Sequence, residues 1–529
     1  MNLYRAFATV GGLTMVSRIL GFARDILIAA ALGSGAVADA FFVAFRFPNL
    51  FRRLFGEGAF NAAFVPLFAK KLESDGPVAA KGFAQEALSG LLWLLLILSV
   101  VAIAAMPWLM LLLAPGFIQN PTKYEIAVLF TQIAFPYLLC MSLVALLSGV
   151  LNSMHKFWAA AAAPILLNVV LIAAISFAIW LGFSRQPEAG FILAVGVTIA
   201  GLAQLLMLVV ATRRAGMRIG LVRPRYSPDM KRLVELGIPG LVSGGVTQIN
   251  IVVGTIIASL QAGAVSYLYY ADRLYQLPLG IVGVAVGVVL LPDLARKLRS
   301  GDHAAALDSQ NRSFEFATML TLPAAVGLAV AAEPIIRVLF ERGAFSAHDT
   351  PATAWALAAF ALGLPAFVLI KVFQPAFFAR EDTKTPMRFA VQNMLINVAG
   401  SLVLFFAFKK MGMWPHVGIA LSTSIAGWVN ALMLWRALTA KGQFAFDARL
   451  SRNIIRIVLA SAAMGAALIL LLPLASGFVE PRQGFAVQIL ALGLLLGVCF
   501  AVYAGLIFAT GVLDKAQFAR FFRRRPATS

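Results

Sequence analysis

Seven basic residues carry the chemistry that this chain's composition makes improbable. Arg18, Arg24, Arg46, Arg52, Arg53, Arg273 and Lys371 all lie inside apolar runs, and five of them fall within the first 53 residues. A cation facing the bilayer centre costs about 2.5–3.5 kcal/mol on insertion scales, so seven facing lipid would cost on the order of 20 kcal/mol. They must therefore face a wet or paired interior. The acids inside the same runs are Asp25, Asp39, Glu57 and Asp272. Local pairing, of Arg24 with Asp25 or Asp39 and of Arg53 with Glu57, is the structural alternative for single residues. It cannot absorb the set, because four acids leave positive charge over. An anion is the natural complement, and the planar fork of a guanidinium suits phosphate.

Spacing supports the same reading. Asp39, Arg46 and Arg53 recur every seven positions and share one helix face, with Asn49 at its edge and Arg52 a step further round. Pro48 predicts a kink in the same helix. Arg18 and Asp25 are also seven apart, with Arg24 beside Asp25. In the second half of the chain, Asp272 and Arg273 sit mid-run, with Pro278 just beyond. Adjacent helical residues face apart, so Arg273 is read as facing a cleft, toward the first cluster, rather than only pairing with Asp272. Lys371 is open between a cleft position, snorkelling and a local pair. The candidate substrate-binding residues are therefore Arg18, Arg24, Asp39, Arg46, Asn49, Arg52, Arg53, Asp272, Arg273 and Lys371. Gln248, Asn250 and Asn397 read as interhelical hydrogen-bonding residues.

The elements that position these groups are membrane helices. The 529 residues are 61% hydrophobic and 12% charged, with a mean hydropathy of +0.88. Soluble domains carry about 25% charged residues. Apolar runs of spanning length fall at roughly 7–32, 37–56, 83–113, 125–150, 158–182, 189–211, 233–260, 265–291, 314–340, 352–378, 387–408, 415–438, 453–474 and 485–511, about fourteen in all. The net charge of +20 could suggest nucleic acid. Its placement in short loops argues instead for membrane topology. With the N-terminus inside, 29 Lys and Arg fall on the cytoplasmic side and 7 opposite, Lys123 among the latter. That predicts N-in and C-in. The first helix is read as retained, because Arg18, Arg24 and Asp25 interrupt any signal-peptide core.

The chain repeats itself. Gly35-Ala36-Val37 returns as Gly263-Ala264-Val265, and Val65-Pro66-Leu67 as Leu291-Pro292-Asp293. Pro107 returns as Pro334, Gly116 as Gly343, Pro136 as Pro365, and Leu167-Asn168-Val169 as Ile396-Asn397-Val398. Two six-helix halves with one orientation, related by an axis along the membrane normal, would leave a cleft between them. The expected division is 1–225, 226–445 and 446–529, the last holding two added helices and a basic tail. The basic stretch 212–232 reads as the linker between the halves.

Several chemistries find no support. There is no Gly-x-x-x-x-Gly-Lys-Ser/Thr loop, so ATP is not the direct energy source. No Ser/His/Asp or Cys/His arrangement is visible, and His155, His303, His348 and His416 are all read as loop residues. Cys140 and Cys499 sit in apolar runs as buried thiols. No ligand spacing suggests a metal.

Longer motifs carry a resemblance. Ser17-Arg18-Ile19-Leu20-Gly21-Phe22-Ala23-Arg24-Asp25, then Asp39 through Arg53 and Glu57-Gly58-Ala59-Phe60, resemble the MurJ (MviN) lipid II flippases of bacteria. Tyr270-Ala271-Asp272-Arg273-Leu274 and Lys384-Thr385-Pro386 fit the same family, and the likeness runs over essentially the whole chain. It implies an all-α protein of the multidrug/oligosaccharidyl-lipid/polysaccharide exporter superfamily, with two lobes around a central cationic cavity. The implied activity is movement of the lipid-linked peptidoglycan precursor from the inner to the outer leaflet of the cytoplasmic membrane by alternating access. Arg18, Arg24, Arg52 and Arg273 match the family's cavity arginines, and Asp39 its important acid. The helices at 453–474 and 485–511 match those forming a groove for the lipid tail. Gln276 stands where some relatives carry Glu. Asn393 and Asn397 stand where some relatives bind sodium, with no Asp beside them.

The implied partners are a lipid-linked anion and membrane lipids, with no nucleic acid, in a chain able to work as a monomer or with the cell-wall synthesis machinery. No cofactor is expected, and coupling to membrane potential or a monovalent cation is open. Physics alone leaves other readings standing. A flippase for another polyprenyl-diphosphate oligosaccharide needs the same pocket. A cation-coupled multidrug exporter would want an acidic or aromatic cavity, against these arginines. A non-transport scaffold would tolerate loss of the charges.

Overall fold

Within hydrocarbon every backbone N–H and C=O must be satisfied inside its own segment, so apolar runs of this length become helices. The structure, a computed structural model, describes residues 3–51 and 60–513. It contains nineteen α-helices among these residues. Ten helical spans are long and apolar enough to cross a membrane, among the described residues.

The chain clusters into two compact units. The first comprises Met1–Ser266 together with Arg342–Ser346. It holds α1 (Leu3–Leu32), α2 (Ala36–Phe51), α3 (Phe60–Ser74), α4 (Gly76–Ala104), α5 (Met106–Leu113), α6 (Pro121–Ala134), α7 (Pro136–Ser153), α8 (Trp158–Trp180), α9 (Pro187–Arg214) and α10 (Pro228–Ser259). Here α1 packs on α8, α8 on α9, α7 on α9 and α2 on α6. Helix α2 continues through Pro48. Gln186, Asn120 and Ser227 precede Pro at the first helical position of α9, α6 and α10, where a missing N–H costs nothing. Between α9 and α10 the basic linker is laid on α4: Val222 N donates to Ser89 Oγ (2.9 Å) and Ser227 Oγ to Glu86 Oε2 (2.6 Å).

The second unit comprises Tyr267–Glu341 and Ala347–Ser529. It holds most of α11 (Ala264–Arg299), then α12 (His303–Val330), α13 (Ala332–Phe340), α14 (Asp349–Ala361), α15 (Leu364–Phe378), α16 (Lys384–Lys410), α17 (Pro415–Ala440), α18 (Ala448–Ala475) and α19 (Phe485–Ala509). Its core gathers Phe314, Phe373, Phe377, Leu434 and Phe444. The added pair α18 and α19 pack on each other, and α18 on α12. An ion network fastens that last contact. Glu315 accepts from Arg312, from Arg449 Nη2 (3.4 Å) and from Asn453 Nδ2 (3.0 Å), while Arg312 also pairs with Asp447.

The repeat anchors fall on matching helix breaks. Pro107 follows the break between α4 and α5, and Pro334 the break between α12 and α13. Pro136 opens α7 after α6, and Pro365 lies at the start of α15 after α14. Proline cannot supply the N–H that a continuous helix needs at these points. In the first unit the two breaks pack together, with Ala102, Met106, Phe135 and Leu138 in one buried cluster.

Candidate functional site

Arg24 is held by several partners at once. It is buried on α1 beside Asp25, also buried. Its Nε and Nη2 donate to Asp25 Oδ1 at 3.0 and 2.7 Å, and its Nη1 to Asn168 Oδ1 of α8 at 2.9 Å. Asn168 in turn donates to the Ser17 carbonyl at 2.9 Å. The Phe45 ring lies 5.8 Å from the guanidinium carbon. A charge in low dielectric is tolerable when paired and hydrogen-bonded in this way. The local pairing of Arg24 with Asp25 weighed from sequence is thus present.

Arg18 is different. It lies exposed on α1, at a pocket of about 320 Å³ lined also by Thr14, Ser17, Asn152, Phe157 and Pro164. Among the described residues its guanidinium makes no hydrogen bond or ion pair that an anion would have to displace. On α2, half-buried Arg46 donates from Nη1 to Thr255 Oγ1 of α10 at 3.2 Å. Asn49 is also half-buried. Arg52, Arg53 and Glu57 lie outside the described residues.

Asp39 occupies a different kind of place. It is fully buried, at 0% exposure, and Lys123 at 6%. Asp39 Oδ2 accepts from Lys123 Nζ (2.5 Å) and the Gly263 amide (2.9 Å). Its Oδ1 accepts from the Ser266 amide (2.9 Å) and from the Ser266 hydroxyl. The Lys123 ammonium also stands 4.0 Å from the centre of the Phe117 ring. Four donors converge on one carboxylate, the condition under which a buried ion pair is stable.

In the second unit, Arg273 folds back one turn along α11. Its Nη2 donates to Tyr269 Oη at 2.9 Å, and its guanidinium carbon lies 4.7 Å from that ring's centre. Asp272 accepts from Gln276, four residues on. Both Asp272 and Arg273 are half-buried. Lys371 is exposed on α15, its aliphatic stem beside Gly283 of α11. Among the described residues no group of acids, His and Cys is arranged to hold a metal.

Three residues of this machinery escape sequence reading. Lys123 is a correction: counted above as a loop cation, it sits in the first turn of α6, buried against Asp39. Asn168 is visible as a repeat anchor, but its bond to Arg24 spans 144 residues. Ser266 carries no signal that it meets Asp39. A second correction concerns His416, which is buried in the first turn of α17, its Nε2 2.9 Å from the Ala352 carbonyl.

The comparisons with known proteins agree with one another. A family model described as lipid II flippase MurJ matches residues 28–481. The probable lipid II flippase MurJ of Rhizobium tropici is 49% identical over 533 residues, covering 100% of this chain and 98% of its own length. The lipid II flippase MurJ of Burkholderia cenocepacia is 35% identical over 539 residues, covering 99% and 100%. A solved structure of lipid II flippase MurJ in an inward closed conformation aligns with TM-score 0.75 at 27% identity, over 94% of this chain and 99% of that one. An inward-facing multidrug resistance MATE family transporter of the MOP superfamily aligns at 0.66 over 82% and 98%, and at 14% identity that likeness concerns the fold alone.

Proposed function

Because this chain belongs to the MurJ lipid II flippase family, we propose that its intramembrane cations hold the diphosphate of lipid II as the precursor crosses the bilayer. The protein is a multi-pass inner-membrane transporter and not an enzyme. The substrate's head is a strongly anionic, hydrated group, and its polyprenyl tail belongs in lipid. A carrier for it needs fixed positive charge inside and a way for the tail to remain outside. Arg18 supplies an exposed guanidinium group, and Arg24 and Arg273 supply ones already oriented, by Asp25 and Asn168 and by Tyr269. Arg46, Asn49, Arg52, Arg53 and Lys371 extend the set. Bidentate guanidinium geometry matches phosphate oxygens.

Asp39 plays another part in this reading. With four donors in place, it shapes the site through Lys123 and Ser266 rather than touching an anion that would repel it. Asp272, held by Gln276, sets the local charge beside Arg273.

The two six-helix halves and the N-in, C-in orientation belong to the same proposal. The loop charge asymmetry supports the orientation, and it sharpens once buried Lys123 is removed from the minority side. Membrane potential acts on net charge moved across it, at about 2.3 kcal/mol per charge per 100 mV, and can drive resetting. A monovalent cation is the alternative driver, and the chain acts as a monomer near the machinery that consumes its product.

The observation that carries the proposal is end-to-end similarity joined to a hydrogen-bonded intramembrane arginine. Complementation tests it. This chain, expressed in a strain depleted of its own lipid II flippase, should return precursor to the outer leaflet. Precursor that stays in the inner leaflet despite normal expression would refute the assignment.

A further inference from the structure

Two glycines one repeat apart make the same contact. Gly116 lies in the 3-10 turn Pro115–Gln119 and presses on the last residue of α10, where a methyl group would overlap the Ser259 carbonyl. Its amide donates to Ser259 Oγ at 3.1 Å. Gly343 lies in the segment 342–346 and presses on the last turn of α1, where a methyl group would overlap the Ala30 carbonyl. The next amide, Ala344 N, donates to Ala30 O at 2.7 Å. All four segments belong to the first compact unit.

The contacts are reciprocal with respect to the repeat. The Gly116 turn comes from the first half of the chain and grips α10, the opening helix of the second. The Gly343 segment comes from the second half and grips α1, the opening helix of the first. Each glycine is needed because a Cβ has no room, and Gly343 also adopts a left-handed φ of 59°. Gly33, at φ 66°, closes the other side of the second contact, where a methyl group would press on the Ala344 carbonyl. Arg185 pins the second segment further, donating from Nη2 to Ala344 O (3.1 Å) and from its backbone amide to Ala31 O (2.8 Å).

We propose that these two straps are one reciprocal clamp, closed in this conformation, whose halves release together when the ends of α1 and α10 part. Two discrete packings joined by close backbone contact behave as a switch rather than as a continuous deformation. Since each strap runs from one repeat to the opening helix of the other, parting of the two helix ends with their own repeats stretches both straps at once. The clamp is independent of what the protein carries, so it stands or falls apart from the substrate assignment.

Cysteine accessibility tests it in lipid nanodiscs, with Cys140→Ala and Cys499→Ala removing the native thiols. Ser259→Cys reports on the Gly116 strap and Ala344→Cys on the Gly343 strap, each by its rate of reaction with a hydrophilic maleimide. Gly343→Ala should raise labelling at the distant Ser259→Cys about tenfold, the equivalent of about 1.4 kcal/mol of overpacking. Gly116→Ala should do the same at Ala344→Cys. Arg185→Ala, which removes bonds without adding bulk, should act in the same direction on Ser259→Cys and carries the test should a glycine variant not accumulate. If each change opens only its own strap, the clamp is not reciprocal and the proposal fails. Unchanged labelling at both straps would mean that the close contacts do not govern opening.

Discussion

Asp39 Oδ1 accepts the Ser266 amide at 2.9 Å across 227 residues of sequence. The bond joins the first turn of α2 to the first turn of α11, helices that begin at corresponding points of the repeat, Gly35-Ala36-Val37 and Gly263-Ala264-Val265. Tyr267, the counterpart of Asp39, bonds Asp349 in the first turn of α14 at 3.2 Å, much as Asp39 bonds Lys123 in the first turn of α6. The repeat conserves the placement of the pair while exchanging its chemistry.

The Asp39–Lys123 pair yields a double-mutant prediction. Lys123→Met alone leaves a buried carboxylate without its counter-ion, and Asp39→Asn alone leaves a buried ammonium. Each should cost about 3–5 kcal/mol, whereas the double variant should recover much of the loss, since a buried pair replaced by neutral groups is often tolerated. Thermal unfolding of the three variants in detergent measures the coupling. Simple additivity would mean that the charges do not interact.

Arg24 should not be replaceable by lysine. Its fork reaches Asp25 and Asn168 simultaneously, and one ammonium on a flexible stem cannot reproduce that planar geometry. Arg24→Lys should therefore lose most precursor translocation while accumulating normally. Asn168→Leu should show the same defect more weakly. Near-normal transport by Arg24→Lys would reduce the role of Arg24 to bare charge.

The turn before α16 has a defined pH response. Asp382 is held below the usual carboxylate range, first by the Thr385 amide, against some opposing burial, and then by the Thr385 hydroxyl and Lys441. A depressed folded-state value means that its stabilisation is present above the ordinary carboxylate range and disappears as pH falls through the depressed value. Asp382→Asn keeps an acceptor for the Thr385 amide but has no charge to lose. The variant should melt with less dependence on pH in the acid range than the parent; identical pH profiles would contradict this.

The network at Glu315 anchors the added helices. Glu315→Leu leaves Arg312 with Asp447 and Asp308 alone and removes the Glu315 acceptor of Arg449 and Asn453. The α18–α19 pair should become sensitive to limited proteolysis near 441–447, with the rest of the second unit resistant. An unchanged digestion pattern would show that apolar packing alone holds α18.

Much of the fold is legible in the sequence. Mean hydropathy and loop charge identify an all-helical membrane protein, and Pro107, Pro334, Pro136 and Pro365 mark breaks because a proline has no N–H for the helix, although α2 runs on through Pro48 and α11 through Pro278. The motifs from Ser17 to Asp25 and from Asp39 onward point to the family. What stayed hidden depends on contacts between distant segments. Lys123 looks like a loop cation because hydropathy sees only its neighbours in sequence, while its partner is 84 residues away. Arg24 and Arg18 look alike in sequence, six residues apart on one helix. Only the structure shows that Arg24 is buried and tied to Asp25 and to Asn168 of α8, while Arg18 is exposed at a pocket beside the same helix.

The central claim is that intramembrane arginines hold the diphosphate. It is tested most directly by expressing Arg18→Ala, Arg24→Ala, Arg52→Ala and Arg273→Ala in a flippase-depleted strain, with membrane levels and folding checked, and quantifying precursor in the outer leaflet. The account predicts that the parent restores translocation and that each variant, though present and folded, falls by about tenfold or more, the loss expected for one charge-assisted hydrogen bond of about 1.5–3 kcal/mol. Translocation at parental levels in all four variants would contradict it, leaving the arginines as structural charges.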